Sequence, residues 1–281
     1  MVGANIQKRK RGVNVDDICY LVRKIVIPIV IMTILSVVFS TKIELLDGTL
    51  FSFIRIHLEN DDFWKLRIVK GLVAFTILWY LNRYQISKQE CIFAENIQGD
   101  FCKGFYFISS LMGYRKVSLV HKNTPMQFYL MNSNFYRSFD THENAIEIIE
   151  KGDLDYSRKD LKGDISSINI CIFDTYSGDE TKIPKCLQKN MTIVLIPNRK
   201  PNTPKRFFAK ALIYELEEIL KENRSKYNCT HYNLFLFTTP LTNQKIYELV
   251  FNTKSDNNKL SVYRYDIDRK VFTKKSIRIV C

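Results

Sequence analysis

The sequence predicts an α-helical transmembrane hairpin followed by an α/β cytoplasmic domain, and three stretches carry that expectation. Ile25 to Thr41 holds no charge and is dominated by Ile, Val and Leu. Gly71 to Leu81 is a second uncharged run. Met191 to Pro240 reads as strand, helix, strand. Its apolar run Thr192–Ile196 is β-branched and too short for a helix. Phe208, Leu212, Leu216, Ile219 and Leu220 then recur at helical spacing, and Tyr232–Phe237 is a second apolar run ending at Thr238-Thr239-Pro240. Such a unit makes a right-handed crossover.

In chain order, residues 1–24 form a basic cytoplasmic segment with Lys8-Arg9-Lys10-Arg11 and Arg23-Lys24. Basic residues beside an apolar run are retained on the cytoplasmic side. The run at 25–41 lies at the short end of the ~20 residues that cross a bilayer. A signal peptide is the competing reading. The long basic region, the length of the apolar run and the second hydrophobic segment count against it. Pro28 is expected in the first helical turn, where it removes little hydrogen bonding. The second span, about 66–82, is weakened by Lys65, Arg67 and Lys70, and Trp64, Trp79 and Tyr80 lie near its ends as interfacial aromatics do. An amphipathic helix on the membrane, or one packed in a soluble core, is its alternative. Arg83 and Lys88 close the hairpin on the side where the first cluster began, so both termini are expected in the cytoplasm. The domains are thus 1–24, a hairpin at 25–84, and an α/β domain at 85–281.

Within 85–140, Phe105–Ile108, Val117–Val120 and Gln127–Met131 read as short strands. Asp140-Thr-His-Glu143 resembles a capping box opening a helix through Ile149, closed by Gly152. Asp153 to Asp164 reads as a polar loop, and Ser167–Phe173 as a strand. Thr203-Pro204 is expected to start the helix after the first strand of the crossover, and Asn223 to end it. Gln244–Phe251 reads as a helix, and Leu260–Tyr265 and Lys275–Val280 as a closing hairpin.

Net charge +13 favours anionic partners. The seven cysteines are scattered without CxxC spacing and the four histidines form no ligand signature, so neither a disulfide framework nor a metal site is expected, and the compartment is reducing. No phosphate-loop, HExxH, GxSxG or GxGxxG pattern is present. Asp174, Asp179 and Glu180 lack partner His or Cys residues and read as solvated loop charges. The cytoplasmic region therefore reads as a binder, with no enzyme activity and no cofactor. In open α/β sheets ligands sit beyond the carboxyl ends of the strands. Those ends carry Tyr176 and Ser177, Arg199 and Lys200, and Thr238 and Thr239, while Thr203 and Lys205 open the helix between them. These eight residues are the candidate ligand contacts; an ordinary solvated loop is the alternative.

Tyr232-Asn-Leu-Phe-Leu-Phe-Thr-Thr-Pro240, Glu248-Leu249, Val262-Tyr-Arg-Tyr265 and the strand to Val280 resemble the end of a SAVED domain, the cyclic-oligonucleotide sensor of bacterial CBASS anti-phage systems. Two spans ahead of such a sensor resemble a known effector form of that family. The resemblance implies Rossmann/CARF-like, SAVED-like units, a cyclic di- or trinucleotide ligand, and an inner-membrane effector that self-associates to disrupt the lipid bilayer. Phe251-Asn252 stands where the family carries a glycine. Two other readings stay open: a structural membrane protein that docks a protein partner, and a membrane-tethered nucleic-acid binder, the less expected of the two.

Overall fold

The computed structural model describes residues 15–42, 63–86, 90–92, 103–141, 147–150, 154–174, 180–199, 207–252 and 258–280. It divides into two compact units, Met1–Val117 and Ser118–Cys281. The expected boundary at 84/85 marks the end of an apolar segment, which is a different property from the division of contacts.

In the first unit, helix α1 (Val15–Leu21) passes through a π-helical turn (Val22–Val26) into α2 (Ile27–Lys42). Pro28 therefore sits inside a continuous helix, not in its first turn. Proline cannot donate to the carbonyl four residues back and its ring crowds it, so the preceding turn widens. Of the described helices, the stretch Ile18–Val38 alone is long and apolar enough to cross a membrane by length and composition. Leu21, Ile25 and Met32 on it are buried, while Val30, Ile31, Ile34, Val37 and Val38 are all about half exposed. Such an exposed apolar face is what a helix in contact with lipid presents. Helix α3 (Phe63–Gln85) packs along α2 and also exposes Ile68, Leu72, Ile77 and Leu81. The hydroxyls in both helices turn inward: Thr33 donates to the Ile29 carbonyl at 2.8 Å, Ser36 to Thr33 at 2.7 Å, and Thr76 to Leu72 at 2.8 Å. Back-bonding of this kind satisfies polar groups where no water is at hand. Lys24 pairs with Glu90 at 2.6 Å, and the Trp79 indole donates to the Leu111 carbonyl at 2.9 Å.

Strand β1 (Cys91–Ile92) pairs in parallel with the start of β2 (Lys116–Ser118), joined through α4 (Lys103–Leu111), and a third short strand, β3, spans Ser138–Asp140. Phe105–Ile108, expected as a strand, lies in α4. Gly113 follows it at φ +112°, and a Cβ there would lie 2.7 Å from Arg83 Cγ. Gln127–Met131, also expected as a strand, lies in α5 (Thr124–Asn132), because Asn123 accepts from the Met126 N–H at 2.9 Å and Pro125 fits the first turn. Asn123-Thr124-Pro125 is thus a helix start.

The second unit is built on a six-stranded sheet. It uses β5 (Tyr156–Leu161), β6 (Asp164–Phe173), β7 (Asn190–Pro197), β9 (His231–Phe237), β10 (Lys259–Asp266) and β11 (Val271–Val280), in the order β11-β10-β9-β6-β7-β5. The central four strands are parallel, and β5 and β11 close the edges antiparallel. The expected polar loop 153–164 is therefore largely an edge strand: its exposed face is polar because only one side meets the core. The expected helix at 141–149 is not found at Glu147–Ile149, which form β4, paired in parallel with β8 (Phe207–Ala209); residues 142–146 lie outside the described set. Residues 207–209 being a strand, helix α6 starts at Lys210 and ends at Tyr227, with Asn228 left-handed at φ 50°. Thr203-Pro204 is thus not its cap, and Asn223 is buried inside it. Leu212, Leu216, Ile219 and Leu220 are buried as their spacing requires. α7 (Pro240–Lys245) runs into a π-helical turn through Phe251.

One core cluster joins Cys171, Phe173, Val194, Phe235, Phe237, Tyr263 and Phe272 across the strands, with Ile183 from the β6–β7 connection. Phe235 stacks on Tyr263 with centroids 4.7 Å apart. Beside it runs a polar row in register, Thr192–Asn169–Asn233–Ser261. Asn169 donates to Thr192 at 3.0 Å and Asn233 to Asn169 at 3.0 Å, so these buried amides are satisfied.

Candidate functional site at the carboxyl edge of the sheet

The chain visits the parallel strands as β6, β7, β9, β10, yet their spatial order is β7-β6-β9-β10. It steps outward from β6 to β7, returns over β6 through α6, and continues outward on the other side. In a sheet of order 2-1-3-4, the crevice opens between the first and third strands, where the connections diverge in opposite directions. Here that place is the carboxyl ends of β6 and β9, at Phe173-Asp174 and Phe237-Thr238.

Asp174 occupies the switch point. Its N–H donates to the Phe237 carbonyl at 3.1 Å, fastening the two strand ends together. Its side chain is 2% exposed and accepts the Tyr156 hydroxyl at 2.9 Å. Burial pushes the Asp174 carboxyl up to about 6, with the Tyr156 hydrogen bond and the Arg199 charge pulling it down. Burial, then the Asp174 charge, pushes the Tyr156 phenol up. Asp174 is thus no solvated loop charge. The sequence signal was present, an acid directly after the apolar run Ile170–Phe173, but it could not reveal Tyr156, which arrives from the distant edge strand.

Arg199 leaves the carboxyl end of β7 and reaches back to β6. Its guanidinium donates to the Asp174 backbone carbonyl and lies 5.4 Å from the Phe207 ring centroid. The residues before it are fixed as well: Asn198 N–H donates to the Asp155 carbonyl at 2.8 Å, and the Ser157 and Asn198 side chains bond. A second cation, Lys182, sits 5.5 Å from the Phe237 ring centroid. Half-buried Tyr265 packs edge-on against Phe237 at 4.3 Å, adding an aromatic at the end of β10. Lys182 and Tyr265 were not among the sequence candidates; neither sits in a motif, and only the strand order brings them here.

Thr238 and Thr239 have local work. Thr239 is 4% exposed and caps α7, its Oγ1 accepting the Thr242 N–H at 3.2 Å, while Thr238 donates to Asn243. Asn243 in turn donates to Gln127 at 2.7 Å, tying the cap to α5. Thr239→Ala is expected to cost about 1 kcal/mol of unfolding free energy, read by chemical denaturation. Arg199 and Thr238 therefore stand on the same edge of the sheet, on strands either side of β6. Tyr176, Ser177, Lys200, Thr203 and Lys205 lie outside the described residues. Among the described residues no group of His, Cys, Asp and Glu could hold a metal.

These features define the class: a chain joining a long apolar helix to a mixed α/β sheet unit whose switch point carries a cation. The chain belongs to the SMODS- and Ubiquitin system-associated 2TM effector domain family, whose pattern matches residues 56–280. Among solved structures it is similar to the Acinetobacter baumannii Cap4 SAVED/CARF-domain containing receptor with the cyclic trinucleotide 3′3′3′-cAAA. That match has a TM-score of 0.41 and 8% identity, over 64% of this chain and 45% of that one. The same receptor with 2′3′3′-cAAA matches at a TM-score of 0.44 and 7% identity, over 74% and 56%. The chain spans about half the length of these receptors. No curated protein matches it in sequence.

Proposed function

We propose that this chain is a non-enzymatic membrane effector of a bacterial anti-phage system, in which the α/β domain at 85–281 binds a cyclic di- or trinucleotide. Binding drives self-association of the membrane helices, which disrupts the inner membrane. The family, defined by two-transmembrane effector domains, supports the membrane part. The spans are 25–41 and 66–82, with both termini cytoplasmic.

The observation that carries the ligand reading is the strand order, with its switch point furnished by Arg199 and Asp174. A phosphodiester ligand brings negative charge and ring-like bases to a place that offers a cation, hydroxyls and aromatic faces. Arg199, Lys200, Thr203 and Lys205 contact its phosphates, and Tyr176, Ser177, Thr238 and Thr239 complete the contact set. The ligand shifts assembly only by its differential affinity for the assembled state.

The test is a thermal-shift panel of cyclic di- and trinucleotides on the full chain in detergent. One member at a hundred times its Kd should stabilise by about 2.7 kcal/mol. A flat panel, with linear oligonucleotides equally inert, sinks the reading.

A further inference from the structure

We propose that helix α4 is a third membrane contact, lying at the headgroup level with Phe107 and Leu111 turned into the lipid. This rests on the reading of α2 and α3 as membrane spans and adds a surface which that reading does not contain.

α4 has its polarity inside out. Tyr106 and Ser109 are fully buried, whereas Phe107 and Leu111, four residues apart and hence on one face, are 46% and 43% exposed. Lys103, four residues before Phe107, continues that face and is exposed. A helix covering a water-soluble domain turns polar side chains outward there. The hydroxyl protons are withheld as well: Ser109 donates to the Tyr106 carbonyl at 2.9 Å and Ser110 to the Phe107 carbonyl at 2.7 Å. Thr33, Ser36 and Thr76 in α2 and α3 bond back in the same way.

The position of α4 says what covers that face. The Trp79 indole holds the Leu111 carbonyl at 2.9 Å, and Gly113 passes so close to Arg83 that a Cβ would meet Arg83 Cγ at 2.7 Å. Trp79 and Arg83 are one turn apart on α3, so the carboxyl end of α4 is seated against the last turns of that helix. Aromatics at the end of a span sit at the headgroup level, and Tyr80, Leu81 and Tyr84, which follow Trp79, are all exposed. The exposed face of α4 therefore carries the apolar surface of the span on into the interface.

Lipid suits this face better than a second copy of the chain does. Two side chains fall far short of the ~800 Å² that a stable protein contact buries on each partner. An interfacial helix inserts only ~5–10 Å, a depth that one row of Phe107 and Leu111 supplies. Neither α3 nor α4 contains an acid, and Arg83 and Lys103 are exposed, so neither helix brings charge that an anionic leaflet would repel. Because α4 lies between β1 and β2 in the chain, the contact ties the strands of this unit to the bilayer.

The full chain in liposomes of phosphatidylethanolamine and phosphatidylglycerol tests this, with the photoreactive residue p-benzoylphenylalanine placed at one position at a time. Lipid attached to the protein on illumination is read by mass spectrometry. Leu72→p-benzoylphenylalanine, in the span, and Phe107→p-benzoylphenylalanine, on α4, should both acquire lipid. Each should exceed by about tenfold the same label at Ile267, an exposed side chain in the β10–β11 turn. Lipid at position 72 with none at 107, or equal yields at 107 and 267, overturns the proposal and leaves the spans standing. Attachment of position 107 to a second copy of the chain in place of lipid overturns it in favour of a contact between copies. No lipid at either 72 or 107 removes the spans and this contact together.

Discussion

Arg199→Glu is expected to weaken binding of the active cyclic nucleotide about a hundredfold or more, as measured by calorimetric titration. Two effects add. The guanidinium that lends positive charge to the switch point is lost, and a carboxylate is placed beside a bound phosphate, where like charges cost several kcal/mol. Arg199→Lys separates charge from shape. Lysine keeps the cation but loses the planar fork that holds the Asp174 carbonyl while lying against Phe207. It should therefore retain part of the affinity, between the other two proteins. Equal loss in both variants would mean that Arg199 acts by holding the strand ends, with no part in recognition. Unchanged affinity in both would remove it from the site.

What the sequence made legible was whatever one element can announce by itself. Largely apolar runs of strand length announced β6, β7, β9 and β10, since a strand buried on both faces is mostly apolar; a buried polar residue in each joins a row that only the register reveals. The spacing of Leu212, Leu216, Ile219 and Leu220 gave the buried stripe of α6, and the uncharged run after Arg23-Lys24 gave the first membrane-type helix. What stayed hidden depended on partners. Phe207–Ala209 is a strand only because β4 lies alongside, so the start of α6 was misplaced. Gln127–Met131 is as apolar as a strand, and the Asn123 cap settled the matter. The polar edge strand β5 looked like a loop. Its Tyr156 was therefore invisible as the partner of Asp174, and an acid readable only as solvated proved to be buried.

Asp174→Asn is expected to stabilise the protein at neutral pH, a result that looks perverse for a residue at the centre of its site. An aspartate in the unfolded chain titrates near 3.8, whereas burial lifts it in the fold to about 6. The folded state then binds more protons than the unfolded one between those values, so stability falls as pH rises through the window and the full cost is present above about 6. Two units correspond to about 3 kcal/mol. The asparagine form avoids that cost and still presents an oxygen to the Tyr156 hydroxyl. Its advantage over the wild type should be near its maximum at pH 7.5 and vanish below about pH 4, measured by chemical denaturation across pH. Tyr156→Phe should do the opposite. Removing the donor that favours the ionised carboxyl destabilises most at high pH and least at low pH. A difference between Asp174→Asn and wild type that is flat across pH would mean the carboxyl is hydrated in solution and ionises normally. If the expected cost is found, it falls on an acid fastened by its own N–H to the neighbouring strand end and by its carbonyl to Arg199, at the point where the strand order reverses. Stability given up at a binding crevice is the usual trade against function.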